Sequence, residues 1–260
     1  MAEVKAKKSL GQNFLKDENI LRKIADSFKV NANDLIIEIG PGMGALTKYL
    51  IQKPSSLFCY EIDERMKDIL LSFKSEKVEI IFDDFLRRDL QKDLKQDFEH
   101  IYVIANIPYY ITTPIIEHLL ESAMPISGMT LLVQKEVALR FCASPKTKDY
   151  GYFTVFLQHF FEIHKLFDVS PNAFVPKPKV TSSVVQFVRK EKIYDLDVSS
   201  FCSFLKQCFQ YKRKTLRNNL QQYDWSKIQN ILDKYGFSLN VRAEELSYEI
   251  FVLLFKSLFN

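Results

Sequence analysis

Seven short apolar runs between residues 35 and 190 constrain this chain more than any other feature. "LIIEIG" (35–40), "SLFCYEI" (56–62), "VEIIFDD" (78–84), "IYVIANI" (101–107) and "GMTLLVQ" (128–134) are each followed by a segment of helical spacing, such as Leu46, Tyr49, Leu50 or Met66, Ile69, Leu70. That alternation specifies βαβ units and a parallel sheet. The last two runs, 161–169 and 181–190, are joined by "SPNAFVPKPKV", too short to hold a crossover helix. These last strands are therefore expected to be antiparallel. After Lys190, "EKIYDLDVSS" reads as a linker, and only helical patterns follow: 198–210 running into 211–221, then 225–235 and 243–258. The expectation is an α/β domain over 1–190 with a mostly parallel sheet, and a small all-helical domain over 191–260. The 22 phenylalanines suit a well-filled core.

Three of the seven glycines, Gly40, Gly42 and Gly44, fall in "EIGPGMG", where the first strand hands over to the first helix. Doubly wound sheets bind nucleotides at that place, and glycine lets backbone approach a ligand closely. The spacing is G-x-G-x-G with Pro41 inside, which departs from the dinucleotide fingerprint. It favours a nucleoside without a pyrophosphate, such as S-adenosylmethionine. Glu61 ends the second strand, where a carboxylate accepts both ribose hydroxyls. Asp84 ends the third, placed to accept from an adenine amine, with Phe85 beside it as an apolar wall. Either acid alone reads equally well as a helix cap. With the glycine loop, the two together favour a cofactor site.

"NIPYYITTPI" (106–115) ends the fourth strand. Transfer to the exocyclic amine of adenine explains its first half. That nitrogen is a poor nucleophile because its lone pair is delocalised into the ring. Two acceptors, one for each N–H, favour a pyramidal nitrogen and aim the lone pair. The Asn106 side-chain carbonyl supplies one and the Pro108 backbone carbonyl the other, since proline keeps its acceptor. Tyr109 gives the base a face to stack on. No strong general base is needed, because the amine becomes acidic as it acquires the methyl. Thr113 and Pro114 read as an ordinary helix start.

These residues carry a resemblance. "NIPYY" resembles the amine-binding motif of the ribosomal RNA adenine dimethyltransferases, and "GQNFL" (11–15), "EIGPGMGALT", "DYGYFTVFLQHFF", "FVPKPKVTSSVV" and "YKRKTLRNNL" resemble that family's other segments. The resemblance runs almost end to end. It implies a Rossmann-like class I methyltransferase sheet and S-adenosylmethionine bound by Asn13, Leu15, Gly40, Gly42, Glu61, Asp84, Phe85 and Asn106. Asn106, Pro108 and Tyr109 would hold the target amine. The chain departs from the family pattern at Ile107, at Tyr110 where many members have asparagine, and at Phe85 where many carry a small residue. The segments look most like the branch that dimethylates two adjacent adenosines in a hairpin of small-subunit RNA. Its partners would be that RNA and the assembling small subunit. The large-subunit branch, which confers macrolide resistance, a DNA adenine methyltransferase and a non-catalytic assembly factor are the alternatives.

Residues 206–217 hold Lys206, Lys212, Arg213, Lys214 and Arg217 with no acid. On one helix, Arg213 and Arg217 would share a face at i, i+4. Such a run is often only a solvated face, but in an RNA enzyme it neutralises phosphates. Lys7, Lys8, Lys177 and Lys179 would add to the basic rim. The net charge of +4 leans the same way without deciding it. The four cysteines show no metal-ligand spacing, so no metal is expected and the thiols are expected to be reduced. No apolar run is long enough for a membrane span, and the first residues lack a secretory core. A cytoplasmic monomer is the expectation.

Overall fold

The computed structural model describes residues 6–7, 10–94, 96–122 and 124–259, with the backbone but not the side chain of Tyr109. Two compact units result: 1–138 with 164–189, and 139–163 with 190–260. The strands are β1 (Phe14–Leu15), β2 (Leu35–Ile39), β3 (Ser56–Glu61), β4 (Val78–Phe82), β5 (Ile101–Asn106), β6 (Ile126–Gln134), β7 (Phe161–Val169), β8 (Phe174–Val175) and β9 (Ser182–Arg189).

Seven of these form one sheet in the order β4-β3-β2-β5-β6-β9-β7. Strands β2 to β6 pair in parallel, and β9 runs antiparallel to β6. The α/β class and the mostly parallel sheet are thus as the sequence implies. Strand β2, in the sheet interior, is buried at all five positions, which is why it reads as an apolar run broken only by Glu38 rather than as an alternation. Burying a side chain such as Ile36 or Leu35 stabilises the fold by about 1.5–3 kcal/mol. From β2 the chain winds outward through β3 and β4, then returns to place β5 on the other side of β2. The crevice beyond the carboxyl ends of β2 and β5 is the switch point where such sheets bind ligands.

A second, two-stranded sheet pairs β1 with β8 antiparallel, Phe14 opposite Val175 and Leu15 opposite Phe174. The Lys16 N–H extends it by donating to the Ala173 carbonyl at 2.8 Å. It ties the amino-terminal segment to the proline-rich loop. The helix after β5 runs Thr112–Glu121 with no side-chain cap, so Pro114 lies within its first turn rather than at its first position.

The second unit is helical, but its boundary differs from a single cut at 190/191, because residues 139–163 belong to it. The reason lies in buried polar groups. The Tyr150 hydroxyl donates to the Leu246 carbonyl at 2.9 Å, and buried His159 shares a hydrogen bond with the Tyr248 hydroxyl at 3.0 Å. Phe201, Phe204, Phe251 and Phe255 fill its core. The expected continuous helix across 198–221 is not there. Helix Val198–Cys208 stops, residues 209–215 turn, and a short helix spans Leu216–Asn219. Buried Asn219 makes the break: its Oδ1 accepts the Tyr211 N–H at 3.2 Å, and its Nδ2 donates to the Cys208 carbonyl at 2.8 Å. Arg213 and Arg217 therefore do not share a helix face. Asn219→Ala would strand those backbone groups, and should lower the thermal midpoint by about 4–8 °C; Asn219→Asp, which sets a buried carboxylate against the Cys208 carbonyl, should lower it at least as far.

Candidate functional site

A cavity of ≈ 280 Å³ opens at the switch point of the first unit. Gly40 and Gly42 enter from the loop after β2, Glu61 from the end of β3, and Asp84 and Phe85 from the turn after β4. Asn106 and Pro108 enter from the end of β5, and Asn13 and Leu15 from the amino-terminal segment. All the side chains expected at the cofactor or amine thus line one cavity, apart from Tyr109, whose side chain is outside the described residues.

Gly40 has φ +69°, and a Cβ built there would meet no atom within 4 Å. Its backbone is therefore bare toward the cavity in a conformation that disfavours any side chain. Glu61 is 3% exposed. Its Oε2 accepts the Gly42 N–H and its Oε1 the Asp63 N–H, each at 2.8 Å. Burial raises the carboxyl's pKa, and those two N–H groups oppose the rise. Each oxygen keeps a lone pair, enough for two ligand hydroxyls. Asp84 does cap its turn, accepting the Leu86 N–H at 3.1 Å, and it pairs with Arg87 at 3.5 Å. The capping and cavity readings hold for this residue together. Buried Phe85 packs edge-on against Tyr60, centroids 5.2 Å apart, and against His118 at 5.4 Å.

The Asn106 amide donates from Nδ2 to the Asn13 carbonyl at 3.3 Å, which leaves Oδ1 as its acceptor end. The Pro108 carbonyl accepts the Ile111 N–H at 3.2 Å, closing the turn that carries Tyr109 and Tyr110. One of its two lone pairs remains for a ligand. The Asn13 side chain turns back to the Gly11 carbonyl at 3.1 Å.

Five further residues shape the site. Ile62, more than half exposed and directly after Glu61, offers the cavity an apolar face; its position after the acid was the available signal. Glu38 is fully buried at the cavity floor, accepting from Thr47 Oγ1 at 2.7 Å. Burial pushes its carboxyl up to about 8, against the hydrogen bonds from Thr47 and Cys59, with the Glu61 charge adding to the rise. Gln12 donates to Asp63 Oδ2 at 3.0 Å. The Arg65 guanidinium, with Gln12, holds Asp63 down at about 2. The amino-terminal segment is thus latched to the turn that carries Glu61.

Of the expected RNA contacts, Lys7 is half-exposed and lies 3.9 Å from Asp63, and Lys177 and Lys179 are exposed on the loop after β8. Lys8 lies outside the described residues. In the second unit Arg213 and Lys214 are exposed on the turn, while the Arg217 guanidinium lies 5.5 Å over the Trp225 ring.

Comparison with known proteins gives one consistent result. The family model described as "Ribosomal RNA adenine dimethylase" matches residues 3–260. The "Ribosomal RNA small subunit methyltransferase A" of Chlorobium phaeobacteroides (strain BS1) is 41% identical over 257 residues, covering 98% of this chain and 95% of that protein. Among solved structures, a dimethyladenosine transferase from Plasmodium falciparum superposes with a TM-score of 0.76 at 25% identity, over 93% of this chain and 95% of that one. The 23S rRNA methyltransferase ErmE gives 0.73 at 26%, over 95% and 100%.

Proposed function

Since this chain belongs to the ribosomal RNA adenine dimethylase family, we propose that it dimethylates two adjacent adenosines in a hairpin near the end of small-subunit RNA as that subunit assembles. It is an rRNA adenine methyltransferase that depends on S-adenosylmethionine. The cavity suits that cofactor: Gly40 presents bare backbone, Glu61 spare lone pairs, and Ile62 and Phe85 apolar faces. When bound, S-adenosylmethionine supplies an electrophilic methyl group on sulfur.

The observation that carries the reading is the pair of acceptors at the end of β5. Asn106 Oδ1 and the Pro108 carbonyl would take the two N–H bonds of an adenine amine. Holding both favours a pyramidal nitrogen whose lone pair is free to attack, so positioning does the work usually given to a base. Tyr109 would stack on the ring. Because the amine must enter the cavity, the adenosine is taken out of its stack or is already unstacked.

The small subunit is favoured by the similarity to small-subunit enzymes over nearly the whole length and by "YKRKTLRNNL". In this reading the protein acts as a cytoplasmic monomer. No helix among the described residues is long and apolar enough to cross a membrane. Lys7, Lys8, Lys177, Lys179, Arg213, Lys214 and Arg217 would neutralise RNA phosphates. Labelled cofactor should mark unmethylated small-subunit particles, and neither large-subunit RNA nor DNA. Label entering large-subunit RNA alone would move the protein to the other branch. Arg213→Glu with Lys214→Glu should weaken particle binding about tenfold and flatten its salt dependence by roughly two ions, with cofactor affinity unchanged. Equal affinity at two salt concentrations would remove that turn from the RNA surface.

A further inference from the structure

We propose that Tyr110 is the stacking platform for the base next to the target adenosine, an inference that rests on the RNA adenine reading above. At 60%, Tyr110 is the most exposed large hydrophobic side chain among the described residues, and it lines the mouth of the cavity. Isolated exposed apolar residues are ordinary, so exposure alone decides nothing. Its setting does. A Cβ placed on Gly11 would come within 3.0 Å of the ring's Cε1 and 3.2 Å of its Cδ1, and 3.6 Å from Pro108 Cβ. The ring is therefore seated on a glycine whose φ of +60° disfavours a side chain, and that glycine lies close to the proline of the amine clamp as well. The turn that bears it is closed by the Ile111 N–H donating to the Pro108 carbonyl at 3.2 Å. Tyr110 thus stands in the same turn as the carbonyl that would receive the amine, seated on Gly11 on one side and open to solvent elsewhere.

An adenosine drawn into the cavity leaves its neighbour without one stacking partner. An exposed aromatic ring beside the entrance replaces that partner at no hydrogen-bonding cost. It accepts any base, because every base has a π face. The subsite is therefore specific for an unstacked nucleobase adjoining the target, with purines favoured by their larger overlap.

The full-length protein is tested with unmethylated small-subunit particles, and with a hairpin carrying 2-aminopurine on either side of the target adenosine. Tyr110→Ala should raise KM for the particle about tenfold, leave KM for S-adenosylmethionine within about twofold, and change kcat little at saturating particle. Tyr110→Phe, which keeps the ring, should restore the particle KM. The 2-aminopurine emission should be quenched by the wild type and by Tyr110→Phe, and recover with Tyr110→Ala. An unchanged particle KM, or a loss that falls on KM for S-adenosylmethionine instead, would overturn the proposal; the latter would mean that the ring only braces Gly11. A wild-type protein inactive on the particle would sink the substrate reading instead. The fluorescence arm, run on whichever RNA is methylated, would then still decide for or against Tyr110.

Discussion

Replacing Asn106 with alanine should cut methyl transfer about a thousandfold while leaving RNA affinity within a few-fold. Removing one preorganised polar partner from an enclosed site costs on the order of 10²–10³ in rate, and Asn106 has two tasks. It lines the cavity, where its Oδ1 would take the amine in the proposed reading, and its Nδ2 donates to the Asn13 carbonyl at 3.3 Å. Alanine removes the amine's acceptor and loosens the cavity wall together, so KM for S-adenosylmethionine should rise as well, by a smaller factor. Asn106→Asp separates the tasks. It keeps an acceptor but sets a carboxylate against the Asn13 carbonyl, so cofactor binding should suffer more than in the alanine variant. Single-turnover transfer of labelled methyl, with particle binding measured separately, reads both effects. Near-normal transfer by Asn106→Ala would show that the amine is held elsewhere.

The second large effect is a pH dependence centred on Glu38. Its carboxyl is pushed from an ordinary 4.5 up to about 8 by burial. Below pH 4.5 the group is protonated folded or unfolded, and the stabilisation of its neutral form is fully present. Between the two values the unfolded chain ionises while the native chain keeps its proton, so stability falls as pH rises and the loss is complete once pH passes about 8. The total is on the order of 5 kcal/mol. Glu38→Gln, neutral and nearly isosteric, should flatten that part of the profile and raise the thermal midpoint more at pH 8.5 than at pH 5. A cofactor bearing net positive charge favours the ionised carboxyl, so its affinity for the wild type should increase with pH up to about 8 and the Gln variant should lack most of that increase. Glu61, also raised by burial, contributes in the same direction. A wild-type affinity that is flat from pH 6 to pH 8.5 would show that Glu38 does not titrate against the cofactor.

The sheet was legible because a buried strand such as Leu35–Ile39 is apolar at every position but Glu38, and the glycine loop because bare backbone at Gly40 admits no other residue easily. The residues expected at the cofactor come together in one cavity for a topological reason. Apart from Asn13 and Leu15, which come from the amino-terminal segment, each lies at or just past the carboxyl end of a parallel strand, and such ends converge at the switch point. What stayed hidden depends on contacts distant in sequence. A two-residue strand such as Phe14–Leu15 has no periodicity to read, and its partner lies at Phe174–Val175. The turn at 209–215 is set by Asn219, whose side chain reaches back across the break, so local helical spacing pointed the wrong way. The grouping of 139–163 with the second unit rests on Tyr150 and His159 reaching residues 246 and 248. In the Gln12–Asp63 latch, no spacing rule joins the two residues.

The pairing of Phe14 with Val175 also sets a schedule. Residues 10–15 leave the ribosome well before residues 173–175, so their strand has nothing to pair with until that loop has followed. At about 5–20 residues per second, that wait is on the order of ten seconds or more. During it the chain can already form β2 to β6 and the glycine loop, but the wall that Gln12, Asn13 and Leu15 provide still lacks its β8 anchor. Competence to hold the methyl donor thus waits for the β1–β8 pair, late in the synthesis of the first unit, rather than growing strand by strand.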